Sequence, residues 1–136
     1  MDQRILVACI AALGALLGFD LLTQLSGGQL DLPLRTPLGT IGIGNLVITF
    51  AAMTLGGWIA RRRFRWIAVA LGAVEWAATI AVLVAIAPST GAGATMSLPG
   101  ILKFNALAIV LSLLASWLGA VHGERLAARR RRPASA

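Results

Sequence analysis

Four apolar stretches, each of about 20 residues or slightly more, run through the chain and leave it few ways to fold. They extend from about Ile5 to Leu25, Leu38 to Ala60, Trp66 to Ala87 and Leu98 to Val121. A helix needs about 20 apolar residues to cross roughly 30 Å of hydrocarbon. Inside hydrocarbon every backbone N–H and C=O must be paired within its own segment, so stretches of this kind predict helices. Barrel strands would carry a polar residue at every second position, and these stretches do not. The expected fold is all-α, an antiparallel four-helix transmembrane bundle over residues 1–124, followed by a basic tail over 125–136.

The segments between the stretches carry turn chemistry. Ser26-Gly27-Gly28 closes the first, Pro33 and Pro37 precede the second, and Arg61-Arg62-Arg63-Phe64-Arg65 separates the second from the third. The third ends at Pro88 to Gly93, and Ser97-Leu98-Pro99-Gly100 opens the fourth. Glycine and proline at these points are the expected punctuation. The short connections predict that consecutive helices are antiparallel neighbours. The first stretch is expected to be retained, because it is long for a signal peptide and no small-x-small cleavage site follows it cleanly.

Charge sets the orientation. Of twelve basic residues, ten lie at Arg4, Arg61, Arg62, Arg63, Arg65, Arg125 and Arg129 to Arg132, all at one set of span ends. Arg35 and Lys103 belong to the other side. Basic residues concentrate on the cytoplasmic side, so both termini are expected there, in a bacterial inner membrane. The arginines of the loop and tail are expected to contact anionic lipid. With a net charge of +7 the chain could pass for a nucleic-acid binder, but these clusters flank spans and no accompanying motif is present. Trp58, Trp66 and Trp117 fall near the same expected boundary, where tryptophan is enriched. The final Pro133 to Ala136 is expected to lack order.

Helix contacts are expected at small residues: Gly14 and Gly18, then Ala52, Gly56 and Ala60, then Ala68 and Gly72, then Ala115, Gly119 and Gly123. Such stripes let backbones approach closely in lipid. They are expected to pack the bundle, with a homo-oligomer seam or a membrane partner protein as the other use. Cys9, the single cysteine, cannot form an intramolecular disulfide. Leu6-Val7-Ala8-Cys9 has the look of a lipoprotein box, but its apolar run mostly follows the cysteine, so Cys9 is expected to be a small core residue.

Polar residues inside the spans are the chemical clues, because a charge at the bilayer centre costs about 2.5 kcal/mol or more unless protein or water receives it. Glu75 lies about nine residues into the third span, roughly 14 Å at 1.5 Å per residue, near the midplane. It reads either as a proton or cation site or as a hydrogen-bonded strut between helices. Asp20 and Lys103 sit at matching depth on the first and fourth spans, where they could pair or snorkel separately to the surface. Asn45 and Asn105 are the remaining deep polar groups. Thr49, Thr54, Thr79, Ser112 and Ser116 read as bonding back to their own helices. His122, the only histidine, has no second ligand nearby for a metal. No hydrolase elbow or phosphate-binding loop is present, so no cofactor is expected.

Two segments carry a resemblance. Phe50-Ala51-Ala52-Met53-Thr54-Leu55-Gly56-Gly57-Trp58-Ile59-Ala60-Arg61-Arg62 and the stretch from Trp117-Leu118-Gly119-Ala120 to Arg129 resemble helix ends of small uncharacterised bacterial four-helix inner-membrane proteins. The resemblance covers about a third of the chain and implies an inner-membrane location without an activity. Small multidrug transporters differ, since their acidic residue lies in the first helix. Fluoride channels share a pattern like Gly39-Thr40-Ile41 before Asn45 but have a phenylalanine-rich break in the third helix that is missing here. The small subunit encoded beside the rotary ATP synthase has a third-helix acid like Glu75, with a basic partner that Trp76 to Thr79 do not supply. The expected function is a non-enzymatic accessory or scaffold subunit. The alternative is a small transporter or channel subunit whose polar path runs through Glu75, Asp20, Lys103 and Asn45.

Overall fold

The computed structural model describes residues 3–28, 30–37, 39–86 and 97–130. Four helices dominate: α1 (Gln3–Leu25), α2 (Ile43–Ala60), α3 (Phe64–Ile86) and α4 (Leu98–Arg129). A short antiparallel hairpin, β1 (Pro33–Thr36) with β2 (Gly39–Gly42), joins α1 to α2, with Leu34 paired to Ile41 and Arg35 to Thr40. All four helices are long and apolar enough to cross a membrane. Large apolar side chains such as Leu17, Leu25, Trp66 and Val74 point outward. A water-soluble protein rarely exposes that much contiguous apolar surface; on helices of this length it is the surface that hydrocarbon would cover.

The second helix begins later than the expected Leu38. Residues 39–42 belong to the hairpin instead, because the chain must turn between Thr36 and Gly39. Gly39 holds a positive φ of 123°, and Thr36 Oγ1 donates to its carbonyl at 2.7 Å. Beyond the turn, β-branched Thr40 and Ile41 favour extended backbone. The fourth helix runs past the expected Val121 to Arg129. Its 32 residues span about 48 Å at 1.5 Å per residue, longer than a hydrocarbon layer of roughly 30 Å. The tail is thus largely helical up to Arg129, and 131–136, including Pro133 to Ala136, lie outside the described residues. So does Ala87, the expected end of the third span.

Helix ends are closed by groups that the chain brings from elsewhere. At the C-terminus of α1, Gly28 N–H donates to Thr23 O at 2.8 Å and Gly27 to Gln24 O at 3.1 Å, with both glycines at positive φ, a common way to satisfy final carbonyls. The N-cap of α2 is Gly42, which has no side chain to accept from the first turn. Asp31 does it instead, its Oδ1 accepting from Asn45 N–H at 3.1 Å. The start of α3 is closed from α4: Glu124 Oε1 accepts from Phe64 N–H at 2.6 Å and Arg65 N–H at 3.3 Å. Negative charge at a helix N-terminus also favours the backbone dipole.

Two of the three consecutive pairs, α1 with α2 and α3 with α4, are neighbours as expected, but the largest contact is not a consecutive one. α2 packs most extensively on α4, α1 on α2 and α3 on α4, while α2 and α3 meet only slightly. Along the α2–α4 seam glycine lets backbone meet backbone. A Cβ at Gly57 would run into the Ala120 backbone, at Gly119 into Phe50 O, and at Gly123 into Thr54 O and Trp58 N. The contact steps from Phe50 to Thr54 on α2 as it steps from Gly119 to Gly123 on α4. Around it Ala8, Ala12, Leu16, Ala52, Met53, Phe64, Ala68 and Ala120 form the core. Two expected stripes differ. Gly14 and Gly18 have no neighbour within contact range of an added Cβ, since α1 turns Ala8, Ala12 and Leu16 inward instead. Ala115 is only half-buried, and Ser112 and Ser116 take the inward positions on that part of α4.

Candidate intramembrane polar site

Three helices each carry a polar pair at a spacing of four residues, which places both members on one helix face, although Thr79 at the edge of its pair is exposed. On α2 these are Asn45 and Thr49, on α3 Glu75 and Thr79, and on α4 Ser112 and Ser116. Together with Gly72 and Trp76 they line one cavity of about 90 Å³. Gly72 helps keep it open, since a Cβ there would stand 3.1 Å from Ser116 Oγ. Glu75 lies 11 residues beyond Phe64 on α3, about 16 Å along the axis and close to mid-helix.

Four of the cavity's side-chain polar atoms take part in hydrogen bonds. Thr49 Oγ1 donates to Asn45 Oδ1 at 3.3 Å. Ser116 Oγ donates to Ser112 O at 2.9 Å and Thr79 Oγ1 to Glu75 O at 3.0 Å. The back-bonding expected of the hydroxyls is what Ser116 and Thr79 do. The Glu75 carboxyl, like Ser112 Oγ and the Asn45 amide nitrogen, is engaged by no hydrogen bond or ion pair among the described residues. A polar track leads toward it from the hairpin. Asp31 holds the Asn45 N–H, Asn45 receives the Thr49 hydroxyl, and Thr49 faces the cavity.

The four residues of the expected polar path divide. Glu75 and Asn45 share the cavity. Asp20 is exposed on α1, close enough to Glu75 and to Asp31 for their charges to interact. Lys103 is exposed on α4, and among the described residues no ion pair joins it to Asp20. Of the two expected arrangements, pairing or separate snorkelling, the exposed and unpaired positions match the second. Asn105 bonds back to Ile101 O at 2.9 Å. Thr49, Thr79, Ser112 and Ser116 were legible as scattered hydroxyls. Their common spacing in three spans was the signal that they face one space.

At the opposite end, Arg61, Arg62, Arg63 and Arg65 are exposed around the turn between α2 and α3, and Arg129 and Arg130 end α4. Arg131 and Arg132 lie outside the described residues. The Arg130 guanidinium stands 5.2 Å from the centroid of the Trp58 ring. Trp117 is not at this boundary: its neighbour Ser116 faces Gly72, about 12 Å inward from Phe64 by helix rise. His122 is exposed, with its ring 6.0 Å from that of Phe50. Cys9 is partly buried beside the core. Among the described residues no group of three His, Cys, Asp or Glu is arranged to hold a metal.

These features define a four-helix protein of membrane-crossing length with an acidic polar cavity between three of its helices. No known protein family, curated protein or solved structure matches the chain.

Proposed function

We propose that the chain is a non-enzymatic multi-pass protein of a bacterial inner membrane that takes up a proton or small cation at Glu75, as a small transporter or channel subunit. The observation that carries this reading is the cavity of about 90 Å³ at mid-helix with an unbonded carboxyl in its wall. Its volume corresponds to about three waters at roughly 30 Å³ each. Organic ligands occupy pockets of about 300 Å³ or more, so the ligand class is a proton, a small cation or water. The helices cross in alternating directions, forming an antiparallel bundle, with both termini cytoplasmic. The ten basic residues at one set of span ends support that orientation. Reporter fusions at Ala136 and within Arg61–Arg65 then report cytoplasm, and fusions near Gly28 report the other side.

Flux into proteoliposomes tests the site. Glu75→Gln abolishes proton or cation flux while the folded yield is unchanged, because charge rather than shape is what matters. Gln supporting full flux, or a wild-type protein passing neither protons nor common cations, would overturn the reading. A second reading, an accessory or scaffold subunit, is favoured by the bonding of Ser116 and Thr79 to their own helices. Under it Glu75 is a packing strut and Gln serves equally. Leu at that position then costs about 0.6 kcal/mol, the average for polar contacts between membrane helices.

A further inference from the structure

A second feature lies at the arginine end, away from the Glu75 cavity. Three helices each deliver one arginine to a single groove of about 470 Å³: Arg4 from the first turn of α1, Arg61 from the end of α2 and Arg130 from the end of α4. Trp58, Ile59 and Ala127 complete its wall, and no carboxylate lines it. Among the described residues no ion pair engages any of the three guanidiniums. Three unneutralised guanidiniums around one space form a site for a phosphate, which arginine binds through paired N–H donors. Arg61 is held there at a φ of 66°, a conformation in which glycine is the comfortable residue.

A second groove, of about 390 Å³, adjoins the first and shares Trp58 and Arg130 with it. Its walls are Ala51, Thr54 and Leu55 of α2 with Leu126 of α4, and Arg129 stands at its mouth. Thr54 presents no free hydroxyl, because Oγ1 donates to Phe50 O at 2.8 Å. From Trp58 back to Ala51 the strip runs seven residues along α2, about 10 Å toward the middle of the helix. A cationic groove thus continues into an apolar one across a single tryptophan and arginine. We propose that this composite site holds one anionic phospholipid. The headgroup phosphate sits among Arg4, Arg61 and Arg130, and one acyl chain lies along Ala51 to Leu55. Basic pockets between spans on the cytoplasmic side are suited to such headgroups. Arg62, Arg63 and Arg65 are equally basic but lie outside both grooves, so the site is distinct from general attraction of a basic surface to lipid. The inference rests only on the membrane-spanning reading, not on a role for Glu75.

The test uses the full chain, stripped of lipid in neutral detergent and titrated with phosphatidylglycerol, phosphatidylcholine and glycerol 3-phosphate. Phosphatidylglycerol binds at one per chain and at least tenfold more tightly than phosphatidylcholine, and salt weakens it. Glycerol 3-phosphate does not compete at equal concentration, because it lacks the chain. Arg4→Gln with Arg130→Gln removes the preference, whereas Arg62→Gln with Arg65→Gln keeps it, and Ala51→Trp weakens binding by filling the strip. If the paired variant fails to fold, Arg4→Gln alone, at an exposed position, still lowers affinity severalfold. Equal binding of both lipids, equal loss in the Arg62 and Arg65 variant, or effective competition by glycerol 3-phosphate overturns the proposal. Carbonate extraction of native membranes separates the two failures. A chain released by carbonate breaks the membrane-spanning reading; a retained chain without lipid preference breaks this proposal alone.

Discussion

Toward the arginine end, α2 and α4 touch backbone to backbone at Gly57, Gly119 and Gly123. Toward the hairpin end, the same helices part around Asn45, Thr49, Ser112 and Ser116, and the space between them admits Glu75 from α3. Lipid tails are as apolar as leucine, so burial alone gives helices in hydrocarbon little reason to associate. Close approach through small residues supplies one attraction and polar contact another. This seam uses them in sequence along its length. The tight end gains dispersion contacts and tolerates no added atom. The open end keeps polar groups near one another and leaves room for a few waters.

The strongest way to break this comparison is to add bulk at the tight end. Gly123→Val drives a side chain into Thr54 O and Trp58 N and forces the helices apart. Overpacking costs about 1–3 kcal/mol when neighbours can yield, and backbone yields least, so a loss of about 3 kcal/mol is expected. Thermal unfolding in detergent should show this. Gly14→Val, where nothing lies within reach, should change stability by no more than about 0.5 kcal/mol, the scale of helix propensity. Equal losses at the two glycines would show that the seam does not hold the molecule together.

The acidic caps sharpen the same contrast. Glu124 serves two N–H groups at the start of α3, one of them at 2.6 Å. Asp31 serves one at the start of α2, at 3.1 Å. Losing a cap costs about 0.5–2 kcal/mol. Glu124→Ala is therefore expected near the top of that range and Asp31→Ala near 1 kcal/mol. Glu124→Gln keeps the acceptor and should recover about half, the remainder being charge against the helix dipole. Chemical denaturation in mixed micelles can rank the three. A larger loss for Asp31 than for Glu124 would mean that the hairpin end, not the arginine end, is the more firmly held.

Much of this architecture was legible in the residues. Apolar runs near 20 residues gave four helices, and small residues at Ala52, Gly56, Ala60, Gly119 and Gly123 marked buried faces, because both signals are local and periodic. The hairpin was not read, since Leu38 to Ile41 is apolar enough to pass for helix and only the Pro37–Gly39 turn argued otherwise. The caps were illegible for a different reason. Asp31 and Glu124 act on N–H groups 14 and 59 or 60 residues away, and no spacing rule reaches that far. The polar cavity lies between these cases. Its members announce themselves as pairs on each helix, but only the packing of α4 against both α2 and α3 brings the three pairs to one space. The Gly14–Gly18 stripe shows the converse, a local motif that the packing leaves unused.

The smallest expected effect concerns Asp20 and Lys103, which share a depth in the sequence but not a contact in the fold. Both are exposed, and α1 packs on α2 while α4 packs on α2 and α3. Long charged side chains near span ends reach the interface on their own. Exposed pairs that do meet contribute about 0–1 kcal/mol, so a pair that does not meet should contribute almost nothing. Asp20→Asn and Lys103→Gln, combined in a double-mutant cycle on thermal stability, should then add within about 0.5 kcal/mol. A buried pair would behave otherwise: removing one partner would strand the other charge, and the double variant would be better off than either single one. Coupling above about 1 kcal/mol would exceed what exposed pairs give and would place Lys103 beside Asp20. The charge environment that Glu75 meets from α1 would then be balanced rather than purely negative. That outcome would weaken the case for cation uptake at the cavity, because an uncompensated Asp20 close enough for its charge to act on Glu75 adds to the negative potential of the hairpin end.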